Sequence, residues 1–303
     1  MISAFKSREG MEEVIKSYNE LLKLWGVEYT EEDVPTTFGT THCILAGNRE
    51  NPPLILLHGV GDNSVLMWPF NIGELSRHYF CIAVDTLGGP GKSVAGENFT
   101  KEKFTQRQWL NEVTAHFGLE RFDIAGVSNG GVMAFNYTVM EPGKVRRAIC
   151  IEGGMATNPM KSIISFMALM FPEILMPNRK NMVRIIHKLA SPKNDFYDRH
   201  PEIVDHLLLL MKNHNRKAMN VHVVYKYDRE ASVRIRDKFY FLFGDMRMET
   251  RRELFDLLEK DGYKYKIIKN AGHGVNHEQA DEVNREMVSF LEDKQQCVSA
   301  QEA

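Results

Sequence analysis

The chain has 303 residues, 43% of them hydrophobic, and a formal net charge of −2. That length suits one enlarged domain, or a domain with an insertion, around a large core. The near-neutral balance excludes a basic surface for nucleic acid, no apolar run is long enough to span a membrane, and the acids in MISAFKSREGMEEV argue against a secretory signal. The four cysteines (Cys43, Cys81, Cys150, Cys297) are scattered, with no CxxC pair. Cys81 and Cys150 sit in apolar runs and read as inert core residues of a reducing compartment, so a cytoplasmic protein is expected.

In chain order, residues 11–25 show helical spacing, with Val14, Ile15, Tyr18, Leu21, Leu22 and Trp25 recurring at threes and fours. Residues 41–46 read as a strand, 53–57 (PLILL) as a buried strand ending at His58-Gly59, and 80–85 (FCIAVD) as another. Residues 68–78 leave room for a helix between these two buried runs. A helix over 101–117, a strand over 122–127, a helix over 131–140 and a strand over 145–151 continue the alternation. Strands alternating with helices imply crossover connections, hence a mostly parallel, doubly wound sheet covered on both faces.

That rhythm stops at about residue 155. SIISFMALMF, MVRIIHKLA and EIVDHLLLLM read as helices separated by Pro172, Pro177, Pro192 and Pro201. The sheet resumes at 238–243, then come a helix around 250–260, a last strand over 263–268 and a closing helix over 279–291. The expected organisation is a discontinuous core (1–154 and 237–294), an inserted helical cap (155–236) and a flexible tail (295–303).

Ser128 lies in Gly126-Val127-Ser128-Asn129-Gly130, between a predicted strand and a predicted helix. A serine on such a turn is held in a strained backbone that only small neighbours tolerate, and its hydroxyl projects above the carboxyl ends of the strands. A hydroxyl is a weak nucleophile and needs a base. His273, in Asn270-Ala271-Gly272-His273-Gly274 after the last strand, is the histidine placed by both order and context. His277 is expected to be exposed, and the histidines of the inserted segment lack metal-ligand spacing. The amide of Asn129, at the start of the following helix, suits an oxyanion. A second donor is expected from Val60 in His58-Gly59-Val60-Gly61, a loop that lacks the lysine and spacing of a phosphate loop.

Together these residues resemble the α/β-hydrolase superfamily, specifically its capped carboxylesterase-like members. The resemblance runs from about residue 41 to 291. It rests on His58-Gly59 after PLILL, DTLGGPGKS (85–93), the Ser128 turn, the Gly-His motif and the run VNHEQADEVNREMVSFL (275–291). It implies hydrolysis of a small carboxylic ester through an acyl-enzyme, with neither metal nor organic cofactor. The departure is the acid. The family usually carries Asp or Glu three residues after the glycine ending the penultimate strand, and here that position is Arg247, which cannot accept the imidazole proton. Asp245, on the expected loop, is the preferred substitute; Glu152, at the end of the preceding strand, is second, and Glu249 third. Asp85 is left out, because in the resembling family this position stabilises loops. Phe166, Met167, Leu169, Met170, Phe171 and Met176 are expected to line an apolar pocket under the cap. A non-catalytic ligand-binding protein is the rival reading, motivated by Arg247. Thioesterase, lactonase and carbon–carbon hydrolase chemistry stay open, because they use the same serine.

Overall fold

The computed structural model describes residues 2–246 and 248–293, apart from the side chains of Glu249 and Thr250. The expected tail, 295–303, and Arg247 therefore lie outside the described residues. One sheet organises the chain: β1 (Tyr29–Thr36), β2 (Gly39–Ala46), β3 (Pro53–Leu57), β4 (Phe80–Val84), β5 (Val94–Ala95), β6 (Phe122–Val127), β7 (Val145–Ile151), β8 (Phe239–Gly244) and β9 (Lys264–Ile268). Its order is β1-β2-β4-β3-β6-β7-β8-β9, with β5 beside β2. The pairs β1/β2 and β2/β4 are antiparallel, and every pair from β4 to β9 is parallel. This is the mostly parallel sheet the alternating pattern implied.

The all-apolar runs are explained by burial on both faces. In β3, Leu54 and Leu56 enter one core cluster while Ile55 and Leu57 enter the other. The first cluster gathers residues of α1 (Arg8–Leu22), α2 (Ile72–His78) and the closing helix. The second gathers α3 (Gln106–His116) and α4 (Asn129–Met140) beneath Phe239, Phe241 and Phe243 of β8. A strand with period-two side chains between two helical layers has no polar face to display, so hydrophobic residues run without a break.

Between β7 and β8 the chain leaves the sheet for α5 (Pro159–Met170), α6 (Arg179–Leu189) and α7 (Pro201–Asn213). Asn158 and Asn178 cap α5 and α6 by accepting from Lys161 N and Asn181 N, and Pro159 and Pro201 occupy first-turn positions where a missing N–H costs nothing. Helix α7 is tied to α1: His206 Nδ1 meets Ser17 Oγ at 2.8 Å, and Lys6 N donates to Asn213 O at 2.9 Å. Helix α5 differs, for none of its residues is buried. Met160, Ile163, Ile164, Met167 and Phe171 form an exposed stripe at helical spacing. The chain then returns through β8, α8 (Arg252–Asp261) and β9 to α9 (Ala280–Glu292).

Candidate active site

Ser128 sits where β6 gives way to α4, with φ 55° and ψ −117°. A non-glycine residue rarely holds such a backbone, and it persists only where the surroundings enforce it. Here Ser128 N donates to Ile151 O at 2.7 Å and Val132 N to Ser128 O at 3.1 Å. Gly153 permits this arrangement: a Cβ there would lie 2.0 Å from Ser128 O.

His273 follows β9 and reaches Ser128 across the strand ends. Its Nε2 is 3.1 Å from Ser128 Oγ, and its Nδ1 is 3.1 Å from Glu152 Oε2. A carboxylate can only accept, so Nδ1 carries the proton and Nε2 is free to accept from the hydroxyl. The backbone of His273 is fixed too, its N–H donating to Leu189 O at the end of α6 (2.8 Å). Glu278 braces the same loop, accepting from Gly272 N (3.0 Å) and from Ser191 N (2.7 Å).

Asp245, preferred as the acid in the sequence reading, does not make the bond to His273. Its N–H donates to Ile268 O, and its Oδ1 accepts from Ala271 N at 3.3 Å, which turns the carboxylate toward the backbone of the preceding turn. Glu152 makes the bond because β7 ends in a left-handed residue, with φ 52° at Glu152. That turn sends the side chain across the end of β8, where Oε1 accepts from Gly244 N at 2.7 Å and Oε2 faces the imidazole. Arg251, not singled out from the sequence, places Nη2 2.5 Å from the same Oε2. The Glu152 carboxylate is fully buried, and burial would raise its pKa. The hydrogen bond from His273 and the charge of Arg251 outweigh that penalty and hold it below its ordinary value. Arg247 and the side chain of Glu249 lie outside the described residues.

The loop after β3 is fixed by His58. Thr86 N donates to His58 Nε2 (2.9 Å), so Nδ1 bears the proton and donates to Gly59 O (2.8 Å). The amides of Val60 and Asn129 have no protein acceptor among the described residues. Asp85 is a scaffold, its two oxygens accepting from Ser64 N and Lys92 N.

Two expectations are corrected. His277 is buried, not exposed: its ring stacks on Phe196 at 5.4 Å and its Nε2 meets Met67 O at 3.1 Å. Of the expected lining residues, Phe166 stands over His273, ring centroids 5.6 Å apart. Met167, Phe171 and Met176 are instead exposed to solvent, because they lie on the outward face of α5 and beyond its end. Met170 packs against the cluster of Met182, Ile185 and Ile186, and Leu169 is partly buried. Among the described residues no cluster of His, Cys, Asp or Glu could hold a metal ion.

A parallel sheet of this order, with a strained serine at a strand-to-helix turn and a histidine after the last strand, is the α/β-hydrolase fold. A family description of the alpha/beta hydrolase fold matches residues 52–183. The chain is similar to carboxylesterase YbfK of Bacillus subtilis (strain 168), at 29% identity over 91% of this chain and 92% of that protein. It is also similar to the uncharacterized carboxylesterase nap of the same organism, at 28% identity over 91% of each. Among solved structures, carboxylesterase CesB (YbfK) superposes with a TM-score of 0.76 at 26% identity, covering 93% of this chain and 98% of that one. The naproxen esterase of Bacillus subtilis superposes with a TM-score of 0.76 at 23% identity, covering 94% and 99%.

Proposed function

We propose that the chain hydrolyses small carboxylic esters through an acyl-enzyme, with Ser128 as nucleophile, His273 as general base and acid, and Glu152 as the residue that orients the imidazole. One observation carries the reading: a continuous run of hydrogen bonds from Ser128 Oγ through both nitrogens of His273 to a buried carboxylate. Ser128 Oγ attacks the ester carbonyl as His273 Nε2 takes its proton. The tetrahedral oxyanion is held by the Val60 and Asn129 amides, the latter at the positive end of α4. His273 then gives the proton to the leaving alcohol, and water repeats the sequence to release the acid. Residues 155–236 act as a cap in this reading, with Phe166 closing the pocket above His273.

Glu152 removes the motive for a binding protein on this fold, which rested on a histidine without an acid. Among the described residues no helix is long and apolar enough to cross a membrane, and Cys43, Cys81 and Cys150 are free and buried. A cytoplasmic location belongs to the same proposal. Ser128→Ala is expected to abolish p-nitrophenyl ester hydrolysis and labelling by a fluorophosphonate. Turnover at the wild-type rate by that variant overturns the assignment.

A further inference from the structure

Asp62 is a carboxylate the hydrolytic cycle does not use, and it stands at the centre of the site. It lies two residues beyond Val60, on the loop whose amide is assigned to the oxyanion. The missing side chain of Gly59 measures the distance: a Cβ there would lie 2.7 Å from Asp62 Oδ2 and 3.6 Å from Ser128 Cβ. Asp62 N–H is spoken for, donating to Gly59 O. Among the described residues nothing donates a hydrogen bond to its carboxylate. His273 pulls on its charge, and beside burial the charges of Glu278 and Asp62 raise the Tyr197 hydroxyl of the inserted segment. Tyr197 Oη itself closes over the histidine loop, 2.2 Å from where a Cβ of Gly274 would stand.

Asp62 is half-buried, and a carboxylate partly withdrawn from water with no protein donor holds its proton more readily. Burial pushes Asp62 up to about 7, against a smaller opposing pull from His273. A ligand that brings its own donor removes the cost, which ties affinity to the presence of that donor.

We propose that Asp62 forms a polar subsite beside the scissile carbonyl, selecting esters whose acyl part carries a hydroxyl or other hydrogen-bond donor next to that carbonyl. The inference rests on the esterase reading and names its substrate class. Whether neutral or ionised, Asp62 accepts the donor; ionised, it accepts more strongly.

The test uses p-nitrophenyl 2-hydroxypropanoate and p-nitrophenyl propanoate, which differ by one hydroxyl. The ratio of their kcat/KM values cancels His273 and every other group common to the two reactions. The wild type is expected to favour the hydroxy ester by about tenfold or more, the worth of a hydrogen bond to a charged group, with a ratio that rises through about pH 7. Asp62→Leu brings the ratio down to that of the two esters' spontaneous hydrolysis. Asp62→Asn keeps part of it and makes it independent of pH. Equal ratios in wild type and Asp62→Leu, or a wild-type preference for the plain ester, overturn the subsite and leave the esterase standing. Absence of Ser128-dependent turnover of both esters overturns the esterase reading and the subsite with it.

Discussion

Replacing Glu152 by glutamine tests the least expected part of the site. The substitution keeps shape and removes charge, and the hydrogen bonds around the side chain set the outcome. Glu152 Oε1 faces one donor, Gly244 N, and Oε2 faces two, His273 Nδ1 and Arg251 Nη2. A glutamine amide has one oxygen. With the oxygen at Gly244, its NH₂ confronts the imidazole and forces Nδ1 to accept, which moves the ring proton to Nε2 and destroys the base. With the oxygen toward His273, the tautomer survives, but Gly244 N meets a donor and no negative charge balances the imidazolium. The first arrangement costs kcat about 10⁴-fold, the second about 10² to 10³-fold, as for loss of one electrostatic stabiliser. Either leaves Arg251 unpaired with its side chain only 24% exposed, which lowers stability by about 3 kcal/mol. Initial rates with a p-nitrophenyl ester give kcat, and urea unfolding checks that the variant is folded. Asp245→Asn, measured beside it, is expected to stay within about threefold of wild type. A Glu152→Gln enzyme at near wild-type kcat, or an Asp245→Asn enzyme down a hundredfold, refutes the assignment.

Two further substitutions probe the same neighbourhood. Arg251→Met removes the charge that helps hold Glu152 below its ordinary value. A depressed carboxyl stabilises the fold above its unfolded value, near 4.3, and that stability is lost as pH falls through the lower folded value. The variant should therefore lose Tm at a higher pH than wild type in acid titrations, and superimposable curves would contradict the role of Arg251. Gly153→Ala sets a methyl group 2.0 Å from Ser128 O, a backbone atom that cannot rotate away. A loss of at least about 3 kcal/mol in urea unfolding is expected, and an alanine variant as stable and active as wild type would show that the turn relaxes.

Much of this architecture was legible because doubly covered strands leave unbroken apolar runs. The ranges 122–127 and 145–151 match β6 and β7 residue for residue. Strand β1 was missed for the opposite physical reason: it is an edge strand with acids at Glu31, Glu32 and Asp33, a proline at Pro35, and only Val34 buried. Ser128 and His273 could be placed because local backbone demands small neighbours around them. The carboxylate that meets His273 could not be picked from the sequence, since Asp245 and Glu152 both end strands beside it. What separates them is the left-handed turn at Glu152, a conformation that glutamate's propensity gives no reason to expect. Arg251 lay hidden for want of any motif. Asp62 stood in view within GVGDNS, but its missing donor is a fact of three dimensions.

The bond from His273 N to Leu189 O, with Glu278 joining Ser191 N to Gly272 N, makes the end of α6 and the histidine loop one mechanical unit. Gly272 allows the contact, since a Cβ there would lie 2.1 Å from Leu189 O. Lifting residues 189–191 therefore means letting go of His273, so this side of the inserted segment is its fixed anchor. Helix α5, which has no fully buried residue, meets the same histidine from above through Phe166. Changes on the exposed stripe of α5 leave the bond to Leu189 untouched, whereas changes at 189–191 move the histidine loop with them.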